Sequence, residues 1–218
     1  GLSSCELQLA FYFEDKQYIK QTATLNENGK AVFEGEKALP GGLYLIIFPE
    51  GKAHFDIIIS DDQHFSIRTD TVNPVKNMKI KGSRENELFY TYQKYIYNQN
   101  IAIEQWRDSL KHIDKESDTA KIIQNKTDSI SRQAASYWKK LAADNSDTFL
   151  ATLLEATNGA DGLSYRDDYF FEHIDFSEPR LLRSPIIYKA IRIFLATNLN
   201  QHKSPQHIKN EIDRFAER

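Results

Sequence analysis

At Gly82-Ser83 the spacing of apolar residues changes. Before this point they alternate with polar residues in short runs broken by Gly, Pro and Asn; after it they recur at threes and fours. A period of two belongs to strands and a period near 3.6 to helices. The chain therefore reads as an α+β protein: an antiparallel β-sandwich domain over 1–82, then an all-α domain over 83–218 built on a long helical hairpin.

Seven runs before the switch read as strands: Leu7–Phe13, Tyr18–Leu25, Lys30–Glu36, Leu43–Phe48, Phe55–Ile59, His64–Arg68 and Met78–Ile80. Turn signals separate them, among them Asn26-Glu27-Asn28-Gly29, Leu39-Pro40-Gly41-Gly42 and Pro49-Glu50-Gly51-Lys52. Strands at this spacing suggest a sandwich. After the switch, Phe89, Tyr92, Ile96, Gln99, Ile103, Trp106, Leu110 and Ile113 form one helical stripe, and Ile123, Thr127, Ile130, Ala134, Tyr137 and Leu141 a second. The linker Asp114-Lys115-Glu116-Ser117 offers N-cap types and is short enough to fold the two helices antiparallel. Asp147 is expected to cap a helix over Thr148–Thr157, ended by Asn158-Gly159, and Tyr165–His173 forms an aromatic-rich stretch. Ser184-Pro185 and Ser204-Pro205 are matching start signals for two further helices.

Charge gives no sign of a nucleic-acid partner. The net charge of −3 divides into −2 before the switch and −1 after it, whereas nucleic-acid binders gather basic residues on one segment. No apolar run approaches the roughly 20 residues that span a bilayer, so no transmembrane segment is expected. The chain starts inside a strand-like segment, so an upstream leader, cleaved or left out, is an expectation.

The one cysteine, Cys5, cannot form an internal disulfide, a C-x-x-C redox pair or a cysteine-rich zinc site. Leu2-Ser3-Ser4-Cys5 looks like a lipid-attachment motif, but a turn before the first strand explains it better. None of the six histidines has a metal-ligand spacing. Asp167, Asp168, Glu172, His173 and Asp175 could offer oxygen ligands to a divalent cation, yet read better as a solvated acidic face. Asp61, Asp62 and His64 read better as a turn. There is no Gly-x-Ser-x-Gly elbow and no phosphate-binding glycine loop. No catalytic residue, metal ligand or cofactor site is expected. In the aromatic run from Phe89 to Tyr97, Tyr90 and Tyr97 lie away from the hairpin seam. They are expected to pack between domains or to line a partner surface. Four Asp-Ser/Thr-aliphatic triplets, such as Asp128-Ser129-Ile130, look like O-glycosylation acceptors of envelope proteins, and helix-surface sequence accounts for most of them.

Several segments resemble one arrangement in order and spacing. They are Ala10-Phe11-Tyr12-Phe13 with Asp15–Ile19, Phe33-Glu34-Gly35, Leu39–Tyr44, Asp62-Gln63-His64-Phe65, Lys81–Phe89 and Asp175–Pro185. Together they resemble the N-terminal region of TlpA-like thiol-disulfide oxidoreductases of the thioredoxin family, from the cell envelope of gut anaerobic bacteria. There a β-sandwich domain of unknown function and a helical segment precede a thioredoxin domain. Glu14 stands where such proteins often carry a hairpin glycine, and the chain ends at Arg218, where the thioredoxin domain would begin.

The resemblance implies a non-catalytic region in the periplasm or envelope of a Gram-negative bacterium. It would position a downstream thioredoxin domain, bind client proteins or dimerise. The alternative is a stand-alone carbohydrate- or ligand-binding module, favoured by a pocket lined with aromatics such as Tyr12, Tyr18 or Tyr44. An enzyme in its own right is the third reading, with catalytic groups converging from distant positions.

Overall fold

The computed structural model describes residues 5–49, 53–111, 113–114, 116–158, 171, 173–198 and 204–216. The class is α+β: an antiparallel four-stranded sheet at the N-terminus, then a helical region. By backbone packing the chain divides into two compact units, Gly1–Gln63 with Glu155–Arg218, and His64–Leu154. This division differs from the change in periodicity at Gly82, because the last helices group with the N-terminal sheet.

In the first unit, β1 (Glu6–Phe13), β2 (Lys16–Thr24), β3 (Gly42–Ile47) and β4 (His54–Ile59) pair in the order β2-β1-β3-β4, so β2 and β4 are the sheet's edges. β3 is the near-continuous apolar strand, and Leu45 in it is fully buried, as are Ala10 of β1 and Ile58 of β4. The register sets Ala10, Leu45 and Asp56 side by side on one face. β1 turns into β2 at Glu14-Asp15, where Glu14 has φ 57, a left-handed conformation that glycine adopts without strain. A bulge at Lys20 shifts the β1–β2 register.

The expected strand Lys30–Glu36 does not form. Its Asn26–Gly29 turn does, with the Asn26 N–H donating to the Lys30 carbonyl at 2.9 Å, but residues 31–36 then run on without ladder bonds. The turn is a local property of Asn and Gly, whereas the ladder needs the edge strand to accept a partner.

A 3-10 helix over Pro179–Arg183 leads into α5 (Pro185–Asn198), and α6 (Pro205–Ala216) follows. Both start signals hold: Ser184 Oγ accepts the Ile186 N–H at 3.3 Å, and Ser204 Oγ accepts the His207 N–H at 3.2 Å. Phe171 meets Phe194 of α5 edge-on.

In the second unit, β5 (Ser66–Arg68) and β6 (Lys79–Lys81) form a two-stranded ladder. A short helix between them, α1 (Pro74–Asn77), is absent from the periodicity; four residues are too few to show a 3.6-residue repeat. α2 (Arg84–Leu110) and α3 (Asp118–Asp144) are the expected hairpin, 27 residues each, or about 40 Å. Ser83 and Ser117 cap them. α4 (Phe149–Asn158) follows. Its cap is Thr148, whose Oγ1 accepts the Ala151 N–H at 3.2 Å, rather than Asp147.

Candidate functional site

Within the first unit, three of the segments quoted for the resemblance meet. Leu39 and Gln63 exchange two hydrogen bonds: the Leu39 N–H donates to Gln63 Oε1 at 2.8 Å, and Gln63 Nε2 donates to the Leu39 carbonyl at 2.9 Å. Gln63 also donates to the Ser60 carbonyl, while the Tyr44 hydroxyl donates to the Pro40 carbonyl. The Pro179–Arg183 turn lies directly on the glycine pair that opens β3. A Cβ on Gly42, at φ +148, would come within 2.4 Å of Arg183 Cβ; one on Gly41 would meet Arg180 Cδ at 2.9 Å. Glu178 fixes that turn by accepting from the Arg180 backbone and guanidinium at once. The Arg180 hydrogen bond holds the Glu178 carboxyl below its ordinary range.

A second joint lies in the other unit. A Cβ on Gly82, at φ +91, would come within 2.9 Å of the His64 carbonyl. Next to it, Arg84 pairs with Asp147 at 2.7 Å and donates to Asn145 Oδ1 at 3.0 Å. The buried Glu85 accepts the Phe149 N–H through Oε1 at 2.7 Å, supplying the first residue of α4 with an acceptor that the helix cannot give it. Asp147 is thereby taken by Arg84, which leaves the capping position to Thr148.

Tyr90 is buried, 4% exposed, and meets Phe89 edge-on, so it offers no exposed ring to a partner. Tyr97 is half-buried, and its hydroxyl donates to Asn73 Oδ1 at 3.3 Å. Of the aromatics named for a ligand pocket, Tyr44 is buried, Tyr12 half-buried and Tyr18 exposed. The structure does not bring those three into one pocket. Tyr18 stacks on Phe11 at 5.7 Å and meets Phe13 edge-on at 6.4 Å, making an aromatic cluster at the β1–β2 hairpin with Ile19 exposed beside it.

Tyr12 and Asp56 hydrogen-bond across the sheet. Burial raises the Asp56 carboxyl above its usual range, with His54 and Tyr12 opposing. Burial and then the Asp56 charge push the Tyr12 phenol up to about 12. The two residues, both half-buried, tie β1 to β4.

An open groove of about 450 Å³ runs along the hairpin. Tyr95 of α2 and Tyr137 of α3 stack at 4.0 Å in its lining. Ser129, Arg132, Gln133, Ser136 and Lys140 of α3 complete it. Lys140 is paired with Asp144 at 2.9 Å; Arg132 is exposed. This groove was not anticipated. Its sequence signal is a polar stripe at threes and fours on α3, beside the apolar stripe of the seam.

Cys5 is half-buried at the start of β1, and its carbonyl accepts the Leu25 N–H at 2.9 Å; the preceding Leu2-Ser3-Ser4 lies outside the described residues. So do Asp167, Asp168 and Glu172 of the acidic cluster, most of Tyr165–His173, Gly159, and residues 50–52 of the turn before β4. His173 is exposed, and Asp175 accepts from the Ser177 N–H and hydroxyl. Asp61 and Asp62 are exposed in the bend after β4. Among the described residues no group of His, Cys, Asp and Glu is placed to hold a metal ion, and no helix is long and apolar enough to cross a membrane.

No curated protein and no solved structure matches the chain. Residues 3–89, from the first strand to the opening turns of α2, match the family model of a domain of unknown function, DUF4369.

Proposed function

We propose that this chain is a non-catalytic scaffold and binding region of an envelope thiol-disulfide oxidoreductase, which carries its redox chemistry on a thioredoxin domain downstream. One observation carries this reading: several of the segments that give the chain its resemblance lie at packing joints. Leu39–Tyr44 is fastened by Gln63 and by the Pro179–Arg183 turn, and Lys81–Phe89 is fastened to the α3–α4 connection. Their residues supply glycines with no room for a Cβ, helix caps and backbone acceptors, which are the means of holding a shape. The family match ends at Phe89, the last residue of the second of these joints. The aromatic cluster at the β1–β2 hairpin and the outer edge of β2 are the surfaces offered to clients or to a second copy.

The test is deletion of residues 1–218 from the native oxidoreductase. Exchange with a small disulfide such as oxidised glutathione is expected to persist within about twofold, because the thiolate chemistry lies elsewhere. Reduction of a folded protein disulfide is expected to slow at least tenfold. Equal rates on both substrates with and without the region would overturn the reading.

The groove at Tyr95 and Tyr137 favours a second reading, a ligand-binding module. Stacked phenol rings beside an exposed guanidinium suit a sugar ring bearing a carboxylate or sulfate. A panel of neutral and acidic oligosaccharides in a thermal-shift assay tests it. A shift with acidic sugars that Arg132→Ala abolishes would support it, and no shift with any member would end it.

A further inference from the structure

We propose that residues 31–34 are a strap that zips onto the outer edge of β2 as a fifth strand, with the Gln21 carboxamide as the catch that holds it open. The hairpin that would carry the strap is already built. Asn26 Oδ1 accepts the N–H of Asn28 and Lys30, the Gly29 N–H donates to the Asn26 carbonyl, and Gly29 sits at φ +68. This is the three-residue loop with a left-handed glycine that closes antiparallel hairpins. The Asn26–Lys30 bond then sets the register beyond it: Leu25 opposite Ala31, Thr24 opposite Val32, Ala23 opposite Phe33 and Thr22 opposite Glu34.

The edge matches that register. The Leu25 N–H donates to the Cys5 carbonyl, and antiparallel pairs alternate between bonded and non-bonded positions. The N–H and C=O groups of Thr24 and Thr22 therefore point away from β1, at the residues the strap would bond. Burial alternates in step: Leu25, Ala23 and Gln21 are buried or half-buried, as are Ala31 and Phe33, while Thr24, Thr22, Val32 and Glu34 are exposed.

What now joins the two is a side-chain bond. Gln21 Nε2 donates to the Glu34 carbonyl at 3.0 Å, and in the zipped register that carbonyl accepts from the Thr22 N–H. Gln21 thus keeps the strap beside the edge and competes with the Thr22 N–H for the carbonyl that closure uses. Open, the edge offers unpaired backbone groups to another extended chain; closed, it is covered in the way sheet edges are protected from aberrant pairing. The bulge at Lys20 limits how far the zip can run. The strap concerns this sheet alone and stands whether or not the oxidoreductase reading does.

Two experiments on the full chain test it. In a Cys5→Ser background, Ala23→Cys with Phe33→Cys places two thiols at a non-bonded pair, where Cα atoms approach to about 4.5 Å in a closed ladder, within the range a disulfide spans. Ala23→Cys with Val32→Cys places them on opposite faces. The first pair is expected to oxidise in a glutathione buffer at least tenfold faster than the second, and the linked protein to exchange its Thr22 and Thr24 amide hydrogens at least tenfold more slowly. Equal oxidation rates, or a linked protein with unchanged exchange, would overturn the strap. Separately, Gln21→Ala is a surface change that frees the Glu34 carbonyl. It is expected to slow exchange of the Thr22 amide at least threefold; unchanged or faster exchange would overturn the catch.

Discussion

Glu14 occupies a left-handed position in the β1–β2 turn without being glycine. A side chain there costs about 1–2 kcal/mol, while glycine adds entropy to the unfolded chain. Glu14→Gly is therefore expected to stabilise the protein by about 1 kcal/mol, read as a higher urea midpoint with an unchanged slope. Asp56 makes a pH-dependent prediction. Burial raises its carboxyl, so the folded chain holds that proton more tightly than the unfolded chain. Its contribution is fully present below the ordinary carboxylate value and is lost as pH rises through the raised one. Asp56→Asn removes this loss. The variant is expected to outlast the parent in urea at neutral pH, with the gap narrowing toward about pH 4; a gap that widens on acidification would contradict the sign. Glu14 could be read from sequence as a departure from a glycine position. The raised Asp56 could not, because alternation places a residue on a face but does not say how deeply that face is covered.

Between elements, the two joints separate what backbone geometry demands from what a flexible side chain can absorb. Gly42→Ala puts a Cβ against Arg183 Cβ at a left-handed φ, and is expected to cost about 2–3 kcal/mol. Gly41→Ala meets only the far part of the Arg180 side chain, which can move, and is expected to cost clearly less. At the other joint, Glu85→Ala strips the Phe149 N–H of its acceptor in a buried setting, an expected loss of about 1–3 kcal/mol. Glu85→Gln keeps an oxygen at that position and should retain most of the stability; paired thermal melts of the two variants would show the difference. The helices were legible because Ser83, Ser117, Ser184 and Ser204 act within three residues of where they stand. Asp147 misled because its partner, Arg84, lies 63 residues away. The same distance effect hid the contact of Gly42 with Arg183. Strand Lys30–Glu36 misled in the other direction: its alternation and turn were real, but the ladder depends on the state of the β2 edge.

Across the whole molecule, the change of period at Gly82 marks where strands give way to helices, not where packing divides. The C-terminal helices group with the N-terminal sheet because the Pro179–Arg183 turn needs the bare backbone of Gly41-Gly42 to lie against. Of the two roles their spacing left open to Tyr90 and Tyr97, packing and a partner surface, the packing role fits better: one is buried and the other is half-buried and bonded to Asn73, which lies before the change of period. The groove at Tyr95 and Tyr137 was hidden in the sequence, because one of its two stacked rings comes from each helix. The central claim is that this is a scaffold and binding region whose chemistry is carried elsewhere in the same polypeptide. Intact-mass and peptide sequencing of the native protein tests it most directly. The account predicts a polypeptide that continues past Arg218 into a thioredoxin domain with a C-x-x-C pair; a native protein that stops at Arg218 would contradict it.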